Sequence, residues 1–342
     1  MNITPGLVST IIPVFNRPEM LKKAVESVIG QTYRPVEIII VDDGSTDATP
    51  AVCREYARKH PGMIRVVLKI HEGKAGLSRE AGRLIASGEF IQYLDSDDIL
   101  APDKFRVMVG ELKKNPDCGI AYCYTRRYNE REAPRDVPCR RTGETFARMY
   151  PDFLRERFWQ TVTPVFRREV CERAGPWSDL GSEEDWEYES RIAKQGVKLC
   201  HCKEFLADVI DHDYERMAGK KQHDLVSLQE KLKAYRLIYR HARDFGIAPD
   251  DPNMRLFARW PFFTSRLYGA AGRKKEAREC FEFAEQILGT AGKRGIFRAY
   301  RALAEAFGWE HVGWFCMQLD RLGIFNNRLS ENVMDRFYVP KS

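Results

Sequence analysis

The stretch VEIIIV, Val36 to Val41, has almost no polar face to offer solvent, and a run of this kind reads as a strand buried on both sides. Such strands belong inside sheets whose faces are covered by helices. Its neighbours repeat the arrangement. LVSTIIPVF (7–15) reads as a first strand, with Pro13 near its end and Asn16 placed to cap a helix beginning around Pro18. In that helix Met20, Leu21, Ala24, Val25, Val28 and Ile29 recur at spacings of three and four. A helix over 49–59, a strand over 64–68, a helix over 76–86 and a strand over 90–94 follow. Strands alternating with helices of this length predict an α/β fold on a mostly parallel sheet.

Ligands of such sheets bind beyond the carboxyl ends of the strands, and two acidic turns lie there. One is Asp42-Asp43-Gly44-Ser45; the other closes FIQYLDSDDIL with Asp95, Ser96, Asp97 and Asp98. Three carboxylates within four residues repel one another unless a cation sits among them. A hard divalent ion with oxygen ligands, Mg²⁺ or Mn²⁺, suits that need. The plainer reading makes Asp98 or Asp103 a cap for the helix after Pro102. A third acidic cluster opens SEEDWEYESRIAKQG (182–196), where Ser182 can cap and Glu183, Glu184 and Asp185 crowd a first helical turn ended by Gly196. Taken alone, those acids need only complement the helix dipole. His212 lies between two aspartates, and a lone histidine is more often structural than a ligand.

Strands are expected at 118–125, 161–166 and 197–202, with a short helix at 168–174 and a long connection or acceptor-side loop over 126–145. From about 222 the pattern turns wholly helical, with helices at 253–270, 273–288, 296–307 and 310–322. Two domains follow, 1–220 and 221–342. In the second, Phe257, Trp260, Phe262 and Phe263 stand among Arg255, Arg259, Arg266, Arg273, Lys274 and Lys275. These rings are either core or part of an interfacial surface for peripheral contact with an anionic membrane.

Several classes are excluded. No apolar stretch of the 342 residues reaches the length of a membrane span, and the N-terminus lacks the basic n-region of a signal peptide. Nine scattered cysteines fit free thiols in a reducing cytoplasm better than a disulfide framework. Cys200-His201-Cys202 has no second ligand pair for zinc. Neither GxxxxGK[ST] nor GxGxxG follows the first strand, which argues against P-loop and dinucleotide chemistry. The net charge of +6 comes without any nucleic-acid module, so no nucleic-acid partner is expected.

Three segments in register, Val8–Thr49, Gly76–Asp98 and Glu183–Gly196, resemble family 2 glycosyltransferases, inverting enzymes with a GT-A fold. The resemblance covers residues 1 to about 215. It implies a Rossmann-like, mostly parallel sheet flanked by helices, here followed by an all-helical C-terminal region. It also implies a nucleoside-diphosphate sugar donor, with a UDP-sugar foremost, a saccharide or lipid-linked acceptor in cell-surface polysaccharide synthesis, and Mn²⁺ or Mg²⁺. By that resemblance Asp43, with Asp42 beside it, recognises the base, and Pro13 and Asn16 frame it. Lys74 and Arg79 lie near the nucleotide. Asp95 and Ser96 serve the donor; Asp97, with Asp95 and His212, holds the metal; Asp185, paired with Glu184, is the general base. Asp98 is left as the helix cap. Glu80 departs from the family pattern, and is expected either to point away or to pair with Arg79 or Arg83. A sugar nucleotidyltransferase would want a Gly- and Lys-rich loop after the first strand, and a non-catalytic scaffold would not need all three acidic motifs. Both stand as alternatives.

Overall fold

The computed structural model describes residues 3–212, 224–289 and 295–321. The chain divides into two compact units, residues 1–153 with 157–221, and 154–156 with 222–342. The boundary expected at 220–221 lies outside the described residues.

The first unit holds strands β1 (Thr4–Val14), β2 (Val36–Asp42), β3 (Ile64–Leu68), β4 (Gly88–Tyr93), β5 (Ile99–Leu100), β6 (Cys118–Asn129), β7 (Val165–Arg167) and β8 (Lys198–Asp211). Between them run helices α1 (Pro18–Ile29), α2 (Thr49–Lys59), α3 (Ala75–Ile85), α4 (Lys104–Lys114), α5 (Arg168–Ala174) and α6 (Glu184–Ala193). The strands form one sheet in the order β3-β2-β1-β4-β7-β6-β8-β5. The β3-β2-β1-β4 portion is parallel, as the alternating sequence implies. β7 then enters antiparallel to both β4 and β6, and β5 antiparallel to β8, so the sheet as a whole is mixed.

Every residue of β2 is buried, including Glu37. Its carboxylate survives burial because Oε1 accepts from Ser87 N at 2.6 Å and Ser87 Oγ at 2.9 Å, with Ser9 and Arg65 as further partners. Pro13 stays within β1, opposite Val41 and two residues beyond the last rung to β4, Ile11↔Tyr93. Its missing N–H therefore interrupts no β1–β4 rung. Helix α3 lies close on the sheet because position 82 is glycine: a Cβ there would sit 2.4 Å from Ile11 Cγ2.

Local expectations fail where long-range pairing decides. Residues 126–129 belong to β6, and the strand expected at 197–202 runs on to Asp211 as β8, whose register against β6 shifts around Cys123–Thr125. The strand expected at 161–166 shortens to β7. Asp98 does not cap α4: β5 intervenes, and the N-cap residue is Asp103, whose carboxylate instead accepts from Thr32 Oγ1 at 2.6 Å and Arg106 Nε at 2.9 Å. Asn16 does not cap α1; that position is Arg17, and Asn16, at φ 50°, accepts from Thr46 N at 2.9 Å. The N-cap of α6 is Glu183 rather than Ser182, with a left-handed backbone at φ 59°.

The second unit comprises α7 (Leu225–Phe245), α8 (Pro252–Phe257), α9 (Arg259–Ala270), α10 (Lys274–Leu288), α11 (Gly295–Phe307) and α12 (Trp309–Arg321). The helix expected over 253–270 is broken between α8 and α9. Pro261 lacks the N–H that would bond Phe257 O, and its ring crowds that carbonyl. Phe257 and Phe263 are core residues, and the Phe262 ring packs 4.6 Å from Phe297 and 5.0 Å from Tyr300. These rings serve the helical core. Among the described residues no helix is long and apolar enough to cross a membrane.

Candidate active site

The ends of β1 and β2 form one wall. Asp42 accepts from the hydroxyl and the amide of Ser45, and Asn16 N donates to Ser45 Oγ at 2.8 Å, tying the end of β1 to the acidic turn. Asp43 is fully buried. Its Oδ2 accepts from Gly73 N at 2.9 Å and Glu72 N at 3.2 Å, while Lys69 Nζ lies 3.6 Å from Oδ1. His71 Nδ1 stands 3.0 Å from the same Oδ2, and its ring stacks on Phe15 at 3.9 Å. Gly44 makes this approach possible: its φ is 76°, and a Cβ would meet His71 N at 2.6 Å. Asp43 thus organises the 69–73 loop. Lys74 follows as the N-cap residue of α3, its Nζ 3.8 Å from Asp179 Oδ2.

The turn after β4 carries the second motif. Leu94 N still bonds Ile11 O at 3.0 Å, and beyond it the chain leaves the sheet. Arg79, on α3, has a side chain only 4% exposed and reaches two motifs at once. One guanidinium nitrogen lies 2.7 Å from Asp95 Oδ1 and the other 2.9 Å from Glu184 Oε1, while the group stacks 4.9 Å over Trp177. Ser96 is buried between the two aspartates. Asp97 turns elsewhere: its Oδ2 is 2.8 Å from Arg17 NH1 and 2.8 Å from His212 Nε2. Burial works to raise the Asp97 carboxyl, but the His212 hydrogen bond and the Arg17 charge outweigh it and hold it below the ordinary carboxylate range. Asp95 and Asp97 therefore face different partners. No cluster of three or more metal-ligating side chains forms among the described residues.

The third motif starts α6. Asp185 Oδ1 accepts from Trp186 N at 2.7 Å and Oδ2 from Arg157 NH1. Arg157 also grips Glu189, Nε to Oε2 at 3.0 Å and NH2 to Oε1 at 2.7 Å, and Trp159 Nε1 donates to Glu189 Oε1 at 3.1 Å. Burial pushes Asp185 up, yet Arg157, with Arg79 and Arg140 behind it, brings it below the usual range. Glu184 moves the other way, raised by burial and by the neighbouring Asp185 charge, with Arg79 opposing. Asp185 is thus the member of the pair held ionised.

Glu80 turns away from Arg79 and pairs with Arg83 through two bonds of 2.8 and 2.6 Å, also accepting from Trp177 N at 3.2 Å. Four contributors lie outside the sequence reading: Arg17, Arg157, Trp177 and Glu189. Only Glu189 leaves a local trace, four residues after Asp185 and so one helical turn along the same face.

Residues 9–174 match the family model described as Glycosyl transferase family 2. The uncharacterized glycosyltransferase YibD of Escherichia coli (strain K12) is 32% identical over 182 residues, 50% of this chain and 51% of that protein. Chondroitin synthase of Escherichia coli is 37% identical over 123 residues, 36% of this chain and 17% of that protein. The chain thus spans about half, or less, of the length of these relatives. S. aureus TarS 1–349, in complex with UDP-GlcNAc, has the same fold with a TM-score of 0.69 at 16% identity, over 92% of each chain. The mannosyltransferase PcManGT from Pyrobaculum calidifontis, in complex with GDP-Man and Mn²⁺, gives a TM-score of 0.52 at 18% identity, over 94% of this chain and 88% of that one. Residues 9–174, which carry the first two acidic motifs, are thus similar to glycosyl transferase family 2, and the fold around them is GT-A like.

Proposed function

We propose that the protein is an inverting glycosyltransferase that moves a sugar from a UDP-sugar to a hydroxyl of a saccharide or lipid-linked acceptor in the synthesis of a surface polysaccharide. The observation that carries the reading is Arg79, whose one guanidinium contacts both Asp95 and Glu184 and so joins the donor motif to the base motif. The UDP-GlcNAc complex of TarS supports the choice of donor, and the chondroitin synthase and teichoic acid biosynthesis relatives support the class of product.

The residues present fit a divalent metal. Asp97 and His212 converge on each other at 2.8 Å, an ionised carboxylate and an imidazole, donors that Mn²⁺ accepts. A metal held by one or two side chains plus diphosphate oxygens and water is the usual arrangement at phosphate-binding sites. When bound, the ion neutralises charge developing on the departing diphosphate. Asp97 and His212 would hold it, and Asp95, kept in place by Arg79, would take the donor's ribose side. Asp43 acts on the base through the 69–73 loop that it holds against Phe15, with Asp42, Pro13, Asn16 and Lys74 completing that wall.

Asp185 accepts the proton of the acceptor hydroxyl as oxygen attacks the anomeric carbon opposite the leaving group. Its lowered proton affinity keeps it ionised, and Glu184 beside it contributes orientation through Arg79. The test is UDP release and product formation from a panel of UDP-, GDP- and dTDP-sugars with Mn²⁺. Asp185→Asn is expected to keep donor binding and lose at least about a hundredfold in turnover, the low end for a general base. Wild-type turnover in that variant would falsify the assignment.

A further inference from the structure

The base motif is held from below by a side chain that no motif names. Arg157 has a side chain only 3% exposed, and the Glu189 it grips only 4%. Three of its donor groups are committed: NH1 to Asp185, Nε and NH2 to the two oxygens of Glu189. Glu189 is itself pinned by the Trp159 indole. Asp185 and Glu189 are one helical turn apart on α6, so a single planar guanidinium spans both carboxylates. A lysine cannot make this fork. The opposite oxygen of Asp185 is fixed by the backbone amide of Trp186. Both oxygens are thereby oriented before any acceptor arrives.

We propose that Arg157 is a positioning residue for the transfer reaction: anchored on Glu189 and Trp159, it fixes the direction in which Asp185 presents its carboxylate to the acceptor hydroxyl. The inference rests on Asp185 being the base. A carboxylate swung aside by even one ångström loses much of the advantage of a prepared geometry. The charged groups around Asp185 are Arg157, Arg79, Arg140, Glu184 and Glu189. Arg157 NH1 donates a hydrogen bond to Asp185 Oδ2, so removal of that guanidinium changes both the orientation and the proton affinity of Asp185.

The first test needs no substrate. Protein labelled with [¹³Cγ]aspartate shows one carboxyl resonance that vanishes in Asp185→Asn and so reports Asp185. In the double variant Arg157→Gln/Glu189→Gln, which does not strand Glu189 without its cation, the titration midpoint of that resonance should rise by about one unit or more. Arg157→Lys should fall between it and the wild type, and a circular-dichroism melt checks that each variant is folded. An unmoved midpoint overturns the clamp. The second test follows UDP release from UDP-GlcNAc with Mn²⁺: kcat should drop at least tenfold with the donor KM within twofold, and the acid limb of the pH profile should move upward. A raised KM at unchanged kcat overturns the proposal. If Asp185→Asn is inactive while the Arg157 variants keep the wild-type midpoint and rate, only the clamp fails; if Asp185→Asn turns over normally, the base assignment fails as well.

Discussion

Arg79→Met isolates the strongest electrostatic element of the site. The guanidinium is 4% exposed, Glu184 is 15% exposed and Asp95 33% exposed, so loss of the cation strands Glu184 more than Asp95, which water can reach. Removing one member of a buried pair costs about 3–5 kcal/mol, and the solvent reaching Asp95 brings the expected figure toward the lower end, about 3 kcal/mol. Roughly 0.5–1 kcal/mol more is lost with the stacking on Trp177, and that part does not depend on pH. Glu184, however, has an escape. It is already raised above the ordinary glutamate value by burial and by Asp185, and without Arg79 it rises further. The folded state then binds a proton more tightly than the unfolded state does. Such a group's stabilising contribution is complete below its unfolded value near 4.5 and is lost as pH climbs through the raised folded value.

The deficit of Arg79→Met relative to wild type should therefore be small at pH 5, where Glu184 is protonated in both proteins, and widen as pH rises above the wild-type Glu184 value of about 7. The slope can reach at most ~1.4 kcal/mol per pH unit for one group. In Arg79→Met/Glu184→Gln the amide cannot ionise, so the stability of the double variant should vary less with pH than that of Arg79→Met. Urea-unfolding midpoints at half-unit steps from pH 5 to 8, for wild type, Arg79→Met, Glu184→Gln and the double variant, complete the cycle. A deficit that is constant with pH, or a double variant no better than Arg79→Met at pH 8, would refute the bridging role of Arg79.

Two further perturbations test the other ends of the site. Gly44→Ala places a methyl group 2.6 Å from His71 N on a backbone at φ 76°, whereas Gly62→Ala has a similar φ of 82° and nothing within 4 Å. Both should lose about 1–2 kcal/mol to the backbone, and only Gly44→Ala should additionally weaken UDP binding by calorimetry, since only it pushes the loop away from Asp43. Arg17→Gln removes a cation 2.8 Å from Asp97 Oδ2 and should tighten Mn²⁺ binding without nucleotide about fivefold, equivalent to ~1 kcal/mol for a partly screened pair. Electron paramagnetic resonance of free Mn²⁺ measures this, and weaker binding would show that Arg17 supports the metal instead of competing with it.

The parallel half of the sheet was legible because β1, β2 and β4 are apolar on both faces, and amphipathic helices with acidic turns punctuate them at regular intervals. The other half, where antiparallel β7 and β5 flank the parallel β6–β8 pair, was not. β7 is three residues long, and β5 is two, held by pairing with residues more than a hundred positions away. Elements that short have no periodicity to read. The failed caps share this cause: Asp98 looked like a cap only while β5 was invisible, and Asn16 only while Thr46 was not known to stand beside it. The acids of the site announce themselves by crowding. Of their arginines the sequence singles out only Arg79, and that through the family resemblance; an arginine in an irregular connection, such as Arg157, looks like any other solvated charge.

The two aspartates proposed for metal binding and proton transfer are both held below the ordinary carboxylate range, Asp97 by His212 and Arg17 and Asp185 by Arg157, yet they are anchored in opposite ways. At Asp97, Arg17 and His212 converge on a single oxygen, the geometry a bound cation would replace. At Asp185 the contacts are divided between both oxygens, and the guanidinium is tied to a second buried carboxylate. Exchange at the first site costs two contacts to one atom; exchange at the second would strand Glu189, which burial already raises. On the proposed assignments, the metal side has contacts that converge on one exchangeable oxygen and the base side has contacts that are locked, a division that follows from where each arginine is anchored and that the acidic motifs alone do not reveal.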